Sequence, residues 1–222
     1  MALGTPTSLT TGNSAVTEQS IATASISPTA NALVIMCFGV RTAVDLVGVS
    51  ITDSFAGGLG AWTTIPLTFN NSGTRCSCIF GYALAGATPG SGTITTSWGA
   101  DSANKGWIVS EITGTDMTTP VNQYNTNTGA NSTLTVNLAN MPKSDSVVLG
   151  LLGSRDPSIT PGASYIELAE DGTASYHAQV EYDTTPTSVT VNWSGLTSLL
   201  GNAGFGVEVQ APITWTPNVI MS

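Results

Sequence analysis

Ala32-Leu33-Val34-Ile35-Met36-Cys37-Phe38 is the stretch on which the fold turns. It is an unbroken apolar run, rich in strand-forming residues and too short for a buried helix. It reads as a central strand covered on both faces. Outward from it, residues 47–52 form a short β-branched segment that ends at Asp53. A glycine-rich turn follows at Gly57, Gly58 and Gly60. Residues 62–69 carry Trp62, Ile65, Leu67 and Phe69. Residues 75–84 alternate, which sets Cys76, Cys78, Phe80 and Tyr82 on one face. Strands at 94–98 and 107–112 come next, the second closed by Gly114.

The second half has the same habit. Leu134, Val136 and Leu138 alternate, and 146–152 is a second doubly buried run. Segments 165–168, 175–182, 188–193 and 205–209 complete about a dozen strands. Turn signals at this spacing define an all-β chain, an antiparallel β-sandwich of jelly-roll-like type. Helical periodicity with caps is absent. The polar stretch 116–131 reads as a long connection crossing between sheets, and Glu170-Asp171-Gly172 as a tight hairpin turn. Residues 1–12 lack the alternation and bulk of a sandwich strand and read as an extended arm. Residues 13–210 make one domain, and 211–222 form a tail with Pro212, Trp215 and Pro217.

Composition narrows the function. Of 222 residues only 9% are charged, and Ser, Thr, Asn and Gly fill the gap. The net charge is −9, and the five cations, Arg41, Arg75, Lys105, Lys143 and Arg155, are spread along the sequence. A nucleic-acid backbone or anionic membrane demands clustered cations, so neither is an expected partner. The longest apolar run falls far short of the roughly 20 residues of a membrane span. The first residues show neither a basic n-region nor an apolar core of a signal peptide, which fits release by lysis or assembly into a particle.

No catalytic constellation is evident, and no enzyme activity, metal or cofactor is expected. The only histidine, His177, sits in an ordinary strand pattern, and Gly-x-Ser-x-Gly is missing. Glu181 and Asp183 have the spacing of paired carboxylates on one strand. A solvated edge is the simpler reading of both. Three cysteines, Cys37, Cys76 and Cys78, are no disulfide framework, and the last two read as small core hydrophobes. Of the five tryptophans, Trp62, Trp98, Trp107 and Trp193 lie in strand patterns and Trp215 in the tail.

Several segments occur in a familiar order. They are Ile51-Thr52-Asp53 before a glycine turn and Trp62, then 78–83, 106–114, 145–152 and 204–209. Together they resemble a broad group of β-sandwich domains found in tailed-phage virion proteins and bacterial surface proteins. The resemblance covers roughly residues 30–210. It implies a structural component of a virion, a capsid decoration (cement) protein held by protein–protein contacts, with the major capsid protein as partner. By analogy such a protein is a homo-oligomer, a trimer. The alternative is a glycan- or host-binding module of a tail or cell surface. The resemblance transfers no catalytic residue, and Glu111 reads as a hydrogen-bonded structural carboxylate. Partner contacts are expected at the ends of the chain: Leu3, Pro6 and Leu9 in the arm, and Trp215, Val219 and Ile220 in the tail.

Overall fold

A computed structural model describes residues 2–71, 73–156, 159–197 and 201–212. Among the described residues there are fifteen strands and no helix. They are β1 (Thr7–Ser14), β2 (Glu18–Ala22), β3 (Leu33–Thr42), β4 (Ser50–Asp53), β5 (Thr63–Asn71), β6 (Thr74–Leu84), β7 (Ile94–Ser102) and β8 (Asn104–Ile112). Then come β9 (Val121–Gly129), β10 (Leu134–Asn137), β11 (Val147–Ser154), β12 (Ile166–Thr173), β13 (Tyr176–Asp183), β14 (Thr190–Trp193) and β15 (Asn202–Val209).

Two five-stranded sheets, β1-β8-β3-β6-β5 and β12-β13-β11-β15-β9, form the sandwich, and every pairing is antiparallel. Their inner faces share one core: Leu33, Ile35, Cys37, Cys78, Phe80 and Ile108 meet Leu149, Leu151, Val180, Phe205 and Val207. Each sheet is also covered on its outer face. The three-stranded sheet β2-β7-β4 packs on the first, enclosing Val34, Met36, Phe38, Ile79, Trp98 and Trp107. The two-stranded sheet β10-β14 packs on the second, enclosing Val148, Leu152, Val136, Val191 and Trp193. Four layers explain the apolar runs at β3 and β11: odd and even residues both face a core, so neither face can be polar.

Three strands differ from the sequence reading. Thr7–Gly12 is not a free arm but most of β1, an edge strand in register with β8 from Thr7 opposite Glu111 to Ser14 opposite Lys105. An edge strand needs backbone partners more than an apolar face. Gly12 is small because a Cβ there would fall on the Trp107 indole. β2, too, lies in a stretch without apolar alternation. The polar stretch read as a crossing contains β9, which pairs with β15 along its whole length. The β12–β13 hairpin exists, but Glu170-Asp171-Gly172 lies inside β12. The turn is Ala174-Ser175, between paired Thr173 and Tyr176. Gly172 serves sheet packing instead, since a Cβ there would run into the backbone of Tyr176 and His177.

Candidate functional site: one loop end and two buried glutamates

Loops gather at the end of the sandwich where β3 and β11 begin. Three concavities open among them. One, of about 320 Å³, is lined by Gly60, Thr63, Tyr82, Thr118, Thr119 and Val121. The second, about 390 Å³ and more apolar, has Ala30, Asn31, Thr113, Thr115, Met117 and Pro212 on its walls. The third lies between Leu3, Thr5, Asp145, Val147 and Thr184. Met117, Met141 and Ile166 stand exposed at this end. The opposite end holds Arg41, Arg75, Lys105 and Arg155, where Arg75 pairs with Asp45 at 2.8 Å and buried Lys105 with Glu18 at 3.0 Å. Lys143, the fifth cation, stands at the loop end, where its Nζ donates to Gln210 Oε1 at 2.6 Å.

The expected contact residues fall in two groups. Leu3 is half-buried against the inter-sheet core, Pro6 is buried, and Leu9 packs on the core beneath the three-stranded sheet. Their apolar surface is largely used within the chain's own fold. Trp215, Val219 and Ile220 lie outside the described residues.

The carboxylates are more informative. Glu181 is not at a solvated edge. It is fully buried on the outer face of β13, beneath β10-β14. Its Oε2 accepts the Gly162 N–H at 3.0 Å, and its Oε1 has no partner. Burial pushes the carboxyl up to about 8. The Gly162 N–H draws it down, and Glu167, opposite it in the β12–β13 register, adds to the rise. Glu167 is itself raised, first by burial and then by Glu170. Asp183, nearly buried, accepts the Thr185 N–H at 2.8 Å.

Glu208, on the same face of the same sheet, is also fully buried but well supplied with donors. The Lys143 N–H reaches Oε1 at 2.8 Å, and the Asn122 and Gln123 amides reach Oε2 at 2.7 Å. Burial pushes this carboxyl up, yet the donors outweigh it and hold it below its usual value. Glu111 accepts both the N–H and hydroxyl of Thr29 at 2.7 Å, a structural bond of the kind expected.

Among the described residues no nucleophile is bonded to a base. His177 Nδ1 lies 2.9 Å from Glu170 Oε1, off the line of a hydrogen bond, and among the described residues no serine, threonine or cysteine side chain bonds to the ring. Cys37, Cys76 and Cys78 are free and buried, and burial pushes Cys76 up to about 11, far from a reactive thiolate. Among the described residues no three His, Cys, Asp or Glu side chains gather to hold a metal, and no helix is long and apolar enough to cross a membrane.

Sequence reasoning missed Gln179 and Trp193 as companions of Glu181. A signal was present: apolar Ala178 and Val180 alternate with Gln179 and Glu181, while Val191 and Trp193 in β14 needed a face to cover. Comparison with known proteins adds no relative: no family model matches, no curated protein matches, and no solved structure matches.

Proposed function

We propose that this chain is a structural component of a tailed-phage particle, a capsid decoration protein that stabilises the shell by burying surface against the major capsid protein and further copies of itself. The observation that carries the reading is the loop end. Three concavities and the exposed side chains of Met117, Met141 and Ile166 lie there together. The opposite end exposes Val16, Val44 and Val47 instead and holds four of the five cations. The segments behind the virion resemblance support it as well, since they map onto β4, β6, β8, β11 and β15. A standard interface buries about 1,600 Å² in total, and repetition over a symmetric lattice multiplies weak contacts into firm attachment.

Mass spectrometry and cryo-electron microscopy of purified virions test this. The expected result is density for the chain on the shell, as a trimer, with the Met117 and Met141 loops at the contact. A particle without this chain removes the proposal. A second reading, a glycan-binding module, draws on the first concavity. There the Tyr82 ring stands beside Thr63, Thr118 and Thr119, an arrangement suited to stacking and hydroxyl bonding with a neutral sugar. A glycan array with the isolated protein separates the two. Specific sugar binding lost in Tyr82→Ala favours the second reading, and an empty array favours the first.

A further inference from the structure

The β10-β14 sheet lies on a floor of missing side chains. Gly150 faces Gly206 in register on β11 and β15, and Gly204 is two residues away. A Cβ on Gly206 would press on Val191 at 2.9 Å, and one on Gly204 on Trp193 at 3.1 Å. At Gly150 a Cβ would meet Glu181 Oε1 at 2.7 Å and Trp193 Cζ2 at 2.8 Å. The bare backbone of Gly150 thus brings a carboxyl oxygen and an indole together inside the protein.

Three polar atoms around this floor are buried without a hydrogen-bond partner: Glu181 Oε1, Gln179 Oε1 and Trp193 Nε1. Gln179 and Glu181 are two apart on β13, so both face the two-stranded sheet. The Gln179 amide is fixed by donating from Nε2 to Glu167 Oε2 at 3.2 Å, which leaves Oε1 pointing elsewhere. Native interiors rarely leave buried polar atoms unpaired, and Glu181 Oε1 and the Trp193 ring meet over Gly150 while Gln179 lies two residues along β13 on the same face. Two oxygens and one N–H are the complement of water, which both donates and accepts.

The charged groups near Glu181 are all of one sign. Glu167 on β12 stands opposite it with Glu170 beyond, and Asp183 follows on β13. The nearby Tyr165 phenol has its own ionisation pushed up by burial and then by Glu181 and Asp183. β11 and β14 present Gly150 and Trp193, which carry no charge. No cation among the described residues pairs with Glu181.

We propose that the space between β10-β14 and the sheet beneath it is a hydration and proton site, in which internal water links Trp193 Nε1 and Gln179 Oε1 to a neutral Glu181. The acid O–H and the indole N–H donate to the water, which donates in turn to Gln179 Oε1. The network ties the two-stranded sheet to the sandwich. Loss of the Glu181 proton puts a lone negative charge among acids and loosens that sheet. The upward-pushed Glu181 carboxyl places this event near or above neutral pH.

Hydrogen exchange of β10 and β14 amides, normalised to intrinsic rates and referred to β3, reads the event directly. In the unmodified chain, protection of β10 and β14 should fall about tenfold or more between pH 6 and pH 9. In Glu181→Gln it should stay level, because the amide keeps the shape and cannot ionise. Trp193→Phe removes the donor together with part of the buried ring system and should lower protection at every pH without altering the slope. A high-resolution crystal structure should show water within hydrogen-bonding reach of Trp193 Nε1 and Gln179 Oε1. Level protection in the unmodified chain, an equal fall in Glu181→Gln, an unaffected Trp193→Phe, or an empty chamber would each overturn the proposal.

Discussion

Glu181 and Glu208 are the same residue type in nearly the same place. Each is fully buried, each lies on the outer face of the second five-stranded sheet, and each is on a strand that flanks β11. Their carboxyls move in opposite directions. Glu208 receives one backbone N–H and two side-chain amides, while Glu181 receives a single N–H and faces Glu167. Burial alone therefore does not decide whether a carboxylate is held as an anion. The number of donors that fold around it does, because each favours the charged form over the neutral one. On one side of β11 the loop at Lys143 and strand β9 supply these donors, and on the other side β10-β14 supplies an indole instead.

The harshest way to disturb this contrast is Trp193→Ala. It empties a large volume above Glu181 and should cost about 3–5 kcal/mol in urea denaturation. The carboxyl is then open to bulk solvent, so its ionisation should return toward the ordinary range. A loss below about 1 kcal/mol would show that β10-β14 is not packed as described.

Next in size is Glu208→Gln. The substituted amide turns an NH₂ toward groups that are themselves donors and removes the charge they serve. A loss of about 2–4 kcal/mol is expected at neutral pH. The pH dependence has a definite sign. A carboxyl held below its unfolded value stabilises the fold above that value, and the benefit vanishes as pH falls through its folded one. Glu208→Gln should therefore lose most at neutral pH and converge on the parent in acid.

Glu181→Gln runs the other way. With a folded value near 8 against about 4.5 unfolded, the neutral carboxyl supports the fold fully below about pH 4.5. That support declines as pH rises toward 8 and stays lost above it. The variant should match the parent in acid and exceed it by about 1–3 kcal/mol at pH 8. Thermal melts across that range decide the matter, and a variant weaker than the parent at pH 8 would contradict the account.

Why some of this was readable in the sequence and some was not follows from the layers. The runs at β3 and β11 announced themselves because a strand with a core on both sides has no place for polar residues. Even the face shared by Cys78, Phe80 and Tyr82 was legible from alternation. The burial of Glu181 was not, since its cover comes from β10 and β14, short strands whose docking is a tertiary event. Alternation on β13 showed that Gln179 and Glu181 share a face, but a polar face normally means solvent. The edge strands β1, β2 and β9 escaped for a related reason. Their side chains face water or other side chains, and the signal that defines them is backbone pairing.

β9 yields the smallest and last prediction. Its amides replace a backbone ladder: Asn125 Nδ2 donates to the Asn137 carbonyl at 2.7 Å and Asn127 Nδ2 to the Thr135 carbonyl at 2.6 Å, both on β10. The same two residues turn their Oδ1 atoms onto the N–H groups of Thr126 and Thr128 at 2.9 and 2.8 Å. One asparagine thus joins two sheets and closes the sheet edge that would otherwise offer free donors to another chain. Because both residues are exposed, water replaces much of what is lost. Asn125→Ala and Asn127→Ala should each cost only about 0.5–1 kcal/mol. The double variant should show a further effect with no counterpart at Glu181 or Glu208: with the outward N–H groups of β9 uncovered, light scattering should reveal self-association at concentrations where the parent does not associate. If the double variant is destabilised but scatters like the parent, the amides serve only to hold β10, and the edge is protected by something else.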